Sequence, residues 1–508
     1  MADKNTEATK SAVAAKVPRL VKFLHEIGIS FQADRFLTDV FEVALMSSLR
    51  DLKYRARIPV QGGHLLYGIM DETGELKEGE VYITILSRDE FDHQRREILI
   101  GDRVVVTRAP ALHPGDIQVV KAVDVSQSSP LRDVYNCIVF SQHGTRDLPS
   151  QLGGGDLDGD QFHIIYDERL IPPKTVIPST YANAPAKDLG RPVEVTDMAD
   201  FFIEYMKADV LGQVSNRHKI RADIRKEGTM HTDCITLAEL ASEAVDFSKS
   251  GNAVDMRRAP LGRDQNRPDF MAPAPGFVMS SDGTPELVEL EIDDVDDPDS
   301  INILDPEKSA VRYYKSQKIL GVLYRNVDES GFVTYMRNNF RAFQDEWGGE
   351  SLLQKLERYV DRETRLIQWE HYSGFAEELR EYYGDNMFEI METMRPHRGE
   401  CLTELEVFSG NILGKKERAS TRYIREANRE VQERFDRDVS AIVRRIISGD
   451  GDNDQETEAL PRSIACFKVA LGTEGWEEYQ MLKSWRYVAA AVCLEQLWKY
   501  MDFKLRPL

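Results

Sequence analysis

The stretch QLGGGDLDGDQF, residues Gln151–Phe162, decides the fold and function of this chain. It places Asp156, Asp158 and Asp160 within five residues, directly after three glycines. Alternate residues of an extended segment point to the same side, and Gly159 permits a turn that other residues adopt only with strain. The three carboxylates can therefore converge, and because like charges repel one another, their convergence predicts a cation among them.

The D-x-D-G-D pattern has three interpretations. Asp and Gly are common in surface turns, so an ordinary turn is the first. The second, an EF-hand calcium loop, needs Gly at position 6 and Glu at position 12, but counting from Asp156 these positions hold Gln161 and Asp167. The third is a magnesium site for phosphoryl transfer, because Mg²⁺ prefers carboxylate oxygens and also takes substrate phosphates. A pair of such ions can activate a hydroxyl and stabilise a leaving pyrophosphate.

Bulk properties limit the class of protein. A chain of 508 residues predicts two to four domains. The net charge of −21 is unlike that of a general nucleic-acid binder, which is usually basic. Salt screens charges beyond about 10 Å, so the local charge decides whether a surface binds nucleic acid.

No apolar run approaches the roughly 20 residues that span a bilayer, and the five scattered cysteines favour a reducing compartment. We expect a cytoplasmic or nuclear protein that does not contact membranes.

The pattern of apolar residues along the chain predicts an α+β fold. Short stretches rich in Val, Ile, Tyr and Phe run from ARIPV (Ala56–Val60) to QFHIIYD (Gln161–Asp167), and their close spacing favours a barrel or sandwich. Before this region and after it, apolar residues recur at the three- and four-residue spacing of helices. The predicted divisions are a disordered tail at 1–16, a helical lead-in at 17–55, the strand-rich domain at 56–175, a helical and irregular region with an acidic insert at 176–330, and a helical C-terminal domain at 331–508.

Several ordered motifs resemble one family. GGGDLDGDQF is similar to the catalytic signature of cellular RNA-dependent RNA polymerases, the enzymes of RNA silencing, and its core is also similar to that of the large subunit of DNA-dependent RNA polymerases. VTRAPALHPGDIQVVKAV (Val106–Val123) and IVFSQHGTRDLPSQLGGGDLDGD lead into the aspartates in the family's order, and YYKSQKILGVLYR follows them. The resemblance covers about residues 55–330.

The resemblance implies a fold, a cofactor and a reaction. The strand-rich domain would be a double-psi β-barrel, and Asp156, Asp158 and Asp160 would bind catalytic Mg²⁺, with Mn²⁺ as a possible substitute. The activity implied is nucleotidyl transfer from ribonucleoside triphosphates to the 3′-hydroxyl of a growing RNA on a single-stranded RNA template. The double-stranded product would serve gene silencing, with silencing proteins as partners.

Further residues are predicted to contact nucleotide or RNA. The forked guanidinium of Arg108 suits bidentate phosphate binding. Asp116 ends the same segment, RAPALHPGD, whose last four residues we call the HPGD motif, and it is expected to cap backbone amides. The basic segment SNRHKIRADIRK is either a solvated helix face or a helix lying along a nucleic-acid backbone. The predicted contact residues are Arg108, Gln142, His143, Arg146, Arg217, Lys219 and Lys249.

The sequence departs from the family pattern in one respect. Family members carry a first barrel upstream of the catalytic one, and here only about 55 residues, helical in pattern, precede Arg57. We therefore expect a catalytic half that needs a first-barrel polypeptide or a homodimer partner. The alternatives are a catalytically incomplete RNA-binding or scaffold subunit, and a DNA-templated RNA polymerase of the same barrel type.

Overall fold

The structure is a computed structural model, and it describes residues 17–88, 94–181, 188–207, 210–260, 266–279, 285–288, 312–340, 351–394, 401–413, 421–449, 458–472 and 482–505. The tail predicted at 1–16 lies outside the described residues, as does most of the predicted acidic insert.

The chain divides into two compact units. The barrel unit comprises Val60–Ala272 and Asp297–Gly321, and the helical unit comprises Met1–Pro59, Pro273–Asp296 and Val322–Leu508. The five-part division drawn from the sequence is finer than this one and stays a prediction.

The strands of the described residues fall into a large sheet and two small ones. The strands are β1 (Gly63–Met70), β2 (Glu80–Arg88), β3 (Gln94–Leu99), β4 (Gly101–Arg108), β5 (Ile117–Ala122), β6 (Cys137–Phe140), β7 (Gln161–Ile165), β8 (Asn266–Pro268), β9 (Gly276–Met279), β10 (Pro285–Val288) and β11 (Arg312–Tyr314). Strands β1 to β7 form the large sheet, β9 pairs with β10, and β8 pairs with β11.

The large sheet closes into a barrel. Its order is β3-β2-β5-β4-β7-β1-β6, and β2 also pairs with β6, so the six strands other than β3 form a closed ring. The β1–β6 and β2–β5 pairs are parallel, and the other pairs are antiparallel. The predicted α+β class is confirmed, and the closed six-stranded ring agrees with the double-psi β-barrel that the resemblance implies.

Two local features differ from the sequence prediction. ARIPV contains no strand, because Ala56 ends a helix in the left-handed conformation (φ 50°) and the chain after it stays irregular. Strand β3 was not predicted, since its sequence QRREIL is largely polar. It pairs with β2 alone and lies outside the closed ring, which explains why polar residues are tolerated there.

The barrel interior is filled by inward-facing side chains from the six strands of the closed ring. In β1, Leu66 and Gly68 are buried while Leu65 and Tyr67 are exposed, as the two-residue period of a strand requires. Phe162 of β7 is fully buried, and its ring packs edge to face on Phe140 with centroids 4.8 Å apart. This interior positions both ends of the aspartate loop, because that loop connects β6 to β7.

The α-helices of the described residues are α1 (Val17–Glu26), α2 (Arg35–Arg55), α3 (Leu148–Gln151), α4 (Val195–Lys207), α5 (Leu211–Ile224), α6 (Thr232–Val245), α7 (Phe247–Ser250), α8 (Ile319–Asn326), α9 (Glu329–Phe340), α10 (Leu352–Glu363), α11 (Ser373–Thr393), α12 (Glu404–Ser409), α13 (Thr421–Ser448), α14 (Ala459–Leu471) and α15 (Lys483–Leu505). In the barrel unit, α5 packs on α6 through Val214, Leu237 and Leu240. No helix in the described part of the chain is long and apolar enough to cross a membrane.

The helical unit contains a buried cluster of charged residues beside its apolar core, which we call the charged hub. Glu329 is 3% exposed, and it accepts hydrogen bonds from Arg50 Nη1 at 3.1 Å and Tyr54 Oη at 2.7 Å. Lys53 Nζ lies 3.5 Å from the same carboxylate. A buried carboxylate needs such partners, so this hub joins α2 to α9 with a defined geometry.

Gly68 offers a test of the barrel packing. A Cβ at this position would lie 2.8 Å from Cδ2 of Phe162 and 2.9 Å from Cε2 of Phe140. Because overpacking a dense core costs about 1–3 kcal/mol, Gly68→Ala is expected to lower the free energy of unfolding by at least that much in urea titrations. The matched control is Gly212→Ala in α5, where a Cβ meets nothing within 4 Å. Equal urea midpoints of unfolding for the two variants would contradict the close packing of Gly68 against Phe162 and Phe140.

Candidate metal centre

The loop between β6 and β7 carries the candidate site. It contains the short helix α3, whose N-cap residue Asp147 accepts a hydrogen bond from the amide of Ser150 at 2.8 Å. Behind α3 the chain turns through Gly153 and Gly154, which both have positive φ angles. Gly155 follows, and a Cβ there would lie 2.8 Å from Cδ of Arg108, so only glycine leaves room for the arginine. The loop then reaches the three aspartates and ends at β7.

The structure brings the predicted carboxylates together. One carboxylate oxygen from each of Asp156, Asp158 and Asp160 lies within 4.8 Å of the others. Carboxylate oxygens are the donors that hard divalent cations prefer. The donor set therefore fits a magnesium-type ion, and the three aspartates are the residues that would hold it.

Arg108 binds the third aspartate from the end of β4. Its Nε lies 2.6 Å from Oδ2 of Asp160, its Nη2 lies 3.0 Å from Oδ1, and both side chains are 17% exposed. The same Oδ2 accepts the backbone N–H of Asp156 at 3.0 Å. A bidentate arginine–carboxylate pair has a fixed orientation, so both oxygens of Asp160 are positioned. The sequence predicted a nucleotide contact for Arg108 and gave no indication of this partner within the cluster.

Asp116 has the capping role predicted for it. It is 1% exposed, and its Oδ2 accepts the backbone N–H of Leu112 at 3.2 Å and of His113 at 3.0 Å. Burial raises the pKa of Asp116, although hydrogen bonds from Tyr181 and from the amides oppose this effect. The capping expectation for the HPGD motif is confirmed.

Three predicted contact residues lie in the first part of the aspartate loop, before α3. Gln142 and His143 are exposed, and Nε2 of His143 lies 3.3 Å from the carbonyl oxygen of Gly74. Arg146 is engaged within the protein, because it donates to the Ser150 carbonyl at 2.6 Å and to the Ser179 carbonyl at 2.9 Å. The structure thus gives Arg146 a bonding role in the loop that the sequence did not predict.

The remaining predicted contacts belong to helices of the barrel unit. Arg217 and Lys219 lie on α5, where Arg217 is half-buried and Lys219 reaches solvent. Partial desolvation by the surrounding protein lowers the pKa of Lys219 below 10.5. Lys249 lies in α7, and its side chain is outside the described part of the chain.

Sequence reasoning missed Tyr181. Its hydroxyl donates to Oδ1 of Asp116 at 2.5 Å, although 65 residues separate the two along the chain. Burial, followed by the hydrogen bond to Asp116, raises the pKa of Tyr181. Tyr181 follows the irregular stretch VIPST, in which no periodicity or motif marks a tyrosine that reaches back to the HPGD segment.

The fold and the cluster together define a barrel protein with a candidate divalent-metal site. A family model described as "RNA dependent RNA polymerase" matches residues 2–327, and the chain therefore belongs to this family. This match confirms the resemblance found in the sequence motifs.

Individual relatives agree with the family match. The chain is 35% identical over 298 residues to a probable RNA-dependent RNA polymerase, SHL2, of Oryza sativa subsp. japonica, covering 56% of this chain and 21% of that protein. It is 37% identical over 263 residues to RNA-dependent RNA polymerase 2 of Arabidopsis thaliana, covering 50% and 23% respectively. RNA-dependent RNA polymerase 1 of Schizosaccharomyces pombe is 28% identical over 421 residues, covering 78% and 30%.

The chain was also compared with solved structures. The RNA-dependent RNA polymerase QDE-1 from Thielavia terrestris aligns with a TM-score of 0.44 and 18% identity, over 96% of this chain and 49% of that one. The chain spans between about a fifth and a third of the curated relatives described above, from 21% to 30% of their lengths.

The aspartate cluster predicts divalent-ion binding that depends on all three carboxylates. Since the affinity of oxygen-ligand sites follows the number of charged ligands, Asp158→Ala is expected to weaken Mn²⁺ binding by about tenfold or more in isothermal titration calorimetry of the purified chain. Asp102→Ala is the control, because Asp102 lies on the same barrel with a side chain that is 93% exposed. Equal affinities in the wild type and both variants would show that the cluster holds no ion.

Proposed function

We propose that this chain carries the catalytic centre for RNA-templated RNA synthesis in RNA silencing. The reaction is transfer of a nucleotidyl group from a ribonucleoside triphosphate to the 3′-hydroxyl of a growing RNA on a single-stranded template, which yields double-stranded RNA. The observation that carries the proposal is the cluster of Asp156, Asp158 and Asp160, whose oxygens lie within 4.8 Å in a member of the polymerase family.

The cofactor we propose is Mg²⁺, held by the three aspartates, with Mn²⁺ as a substitute. When bound, it supplies positive charge that activates a hydroxyl and stabilises a leaving pyrophosphate. The donor set supports this choice because all three ligands are carboxylates, and no soft ligand is among them.

The chain's own residues supply positioning, which is the main requirement of phosphoryl transfer. Arg108 and the amide of Asp156 fix both oxygens of Asp160. The rigid barrel holds the two ends of the loop, so the carboxylates are arranged before substrate arrives and little reorganisation is needed during the reaction.

The template and nucleotide contacts proposed are those of the sequence: Arg108, Gln142, His143, Arg146, Arg217, Lys219 and Lys249. Support differs among them. Lys219 reaches solvent from α5, so its ammonium can meet a phosphate. Arg146 already donates to two carbonyl groups within the loop, so its proposed effect on RNA is exerted partly through loop shape.

The partners proposed are a single-stranded RNA template, ribonucleoside triphosphates, a first-barrel polypeptide or a second copy of the chain, and silencing proteins. The chain matches only 21% to 30% of the relatives' lengths, which supports a need for further polypeptide before synthesis begins. The compartment proposed is the cytoplasm or nucleus.

The test is a synthesis assay on the purified chain. It uses single-stranded RNA, the ribonucleoside triphosphates and Mg²⁺, with labelled product measured alone and after adding a first-barrel polypeptide of a relative. Because removal of an electrostatic group at a reacting centre costs about a hundredfold or more in rate, Asp158→Ala is expected to abolish measurable product. Asp102→Ala is expected to retain the wild-type rate.

The outcomes separate the hypotheses. Product from the chain alone, or only with the added polypeptide, supports the polymerase in its complete or split form. Binding of RNA without product under either condition would favour a scaffold subunit and contradict the proposal. Product on single-stranded DNA but not on RNA would point instead to a DNA-templated enzyme.

A further inference from the structure

A short segment that follows the aspartate loop in the chain is attached to it and to the HPGD motif by hydrogen bonds. We call residues 176–181 the strap. Gln118 donates through Nε2 to the carbonyl of Val176 at 3.1 Å, and Arg146 donates to the carbonyl of Ser179 at 2.9 Å. Tyr181 ends the strap with its bond to Asp116. The strap is therefore attached both to the HPGD segment and to the loop that carries the aspartates.

Asp116 joins three separate segments through one buried carboxylate. Its Oδ2 holds the amides of Leu112 and His113, as described above, while its Oδ1 accepts the amide of Gly153 at 3.1 Å and the hydroxyl of Tyr181 at 2.5 Å. A buried carboxylate with four donors has a defined orientation, so Gly153 is held at a set distance from the HPGD segment.

The same bonds continue to the metal centre. The carbonyl oxygen of Gly153 accepts Nη1 of Arg108 at 3.5 Å, a long contact. The guanidinium of Arg108 then holds both oxygens of Asp160. Oδ2 of Asp160 receives the amide of Asp156. A continuous series of bonds thus runs from Tyr181 through Asp116, Gly153 and Arg108 to two of the three aspartates.

We propose that Tyr181 and Asp116 are positioning residues that set the geometry of the aspartate cluster through Gly153 and Arg108. Neither residue belongs to the aspartate cluster, so their effect is exerted on the positions of Asp156 and Asp160. The inference rests on the proposed function for its purpose, but the geometry that it assigns can be measured without any synthesis.

The hydroxyl of Tyr181 is the one group in this series of bonds that a substitution can remove alone. Tyr181→Phe keeps the ring, yet leaves Oδ1 of Asp116 with one donor fewer in a buried site. The loop is then expected to sample other positions, because Gly153 and Gly154 have no side chains to restrain it. Removing an outer partner of a metal ligand typically weakens metal binding about 10- to 100-fold, and because Tyr181 acts on Asp160 only through the series of bonds described above, we expect an effect at the lower end of that range.

The matched control is Tyr314→Phe. Tyr314 also donates its hydroxyl to a carboxylate of the barrel unit, Asp223 Oδ2 at 2.7 Å, and burial with this bond raises its pKa as it does for Tyr181. The bond of Tyr314 belongs to the end of α5 and not to the aspartate loop. General effects of losing a tyrosine–aspartate bond should therefore appear in both variants.

The experiment has two readouts on the purified full chain. The first is hydrogen–deuterium exchange of peptides covering residues 150–162 without metal, and the second is Mn²⁺ affinity by titration calorimetry. In Tyr181→Phe, we expect exchange in these peptides to rise by about tenfold, because losing a bond to a buried carboxylate favours local opening, and Mn²⁺ affinity to fall by about tenfold. In Tyr314→Phe, we expect both to stay at wild-type values.

Unchanged exchange in Tyr181→Phe, or equal changes in both variants, would overturn the positioning role. If the wild-type chain synthesises no RNA while Tyr181→Phe loosens the loop and weakens Mn²⁺ binding, the proposed function fails and the positioning role stands. If the wild-type chain binds no Mn²⁺, the metal centre itself fails, and the exchange of residues 150–162 alone decides whether Tyr181 positions the loop.

Discussion

The mutual repulsion of three carboxylates is the constraint on which the rest of the barrel unit depends. Their oxygens lie within 4.8 Å of one another, and two unit charges about 4 Å apart repel by roughly 1 kcal/mol in water and about 4 kcal/mol near a protein surface. A flexible loop would relieve that repulsion by moving apart. The loop is instead fixed at both ends by β6 and β7, whose buried Phe140 and Phe162 pack on each other in the barrel interior.

Arg108 resolves part of this repulsion while leaving the cluster acidic enough to attract a divalent ion. One guanidinium binds one of the three carboxylates, and it does so through both oxygens of Asp160. The approach is possible only because Gly155 has no side chain. Arginine suits this position better than lysine, since its planar fork fixes the orientation of the carboxylate as well as neutralising it. Orientation matters because an ion is bound by the direction of the oxygens as well as by their charge.

The sequence predicted the parts of the site that depend on local pattern. The aspartate triad, the strands from HLLYGIM to QFHIIYD and the capping role of Asp116 follow from spacing, composition and short motifs. It failed where a contact joins distant segments. The Arg108–Asp160 bond spans 52 residues and the Asp116–Tyr181 bond spans 65, and no local pattern encodes a side-chain pair at such a separation. The polar strand β3 was not predicted for a related reason, because it is defined by its pairing with β2, and only Ile98 and Leu99 at its end pack against the core.

Two levels of function have different structural requirements in this molecule. Holding a divalent ion needs only the aspartate loop, Arg108 and the barrel that fixes them, and all of these lie in the one unit that contains Val60–Ala272. Extending an RNA, the reaction proposed above, also needs a basic surface that holds the template, and the chain spans only 21% to 30% of the lengths of the relatives described above. The proposed ion binding can therefore be tested on this chain independently of the proposed synthesis. A net charge of −21 is compatible with ion binding at this site, because an ion is attracted by the local carboxylates and salt screens charges beyond about 10 Å.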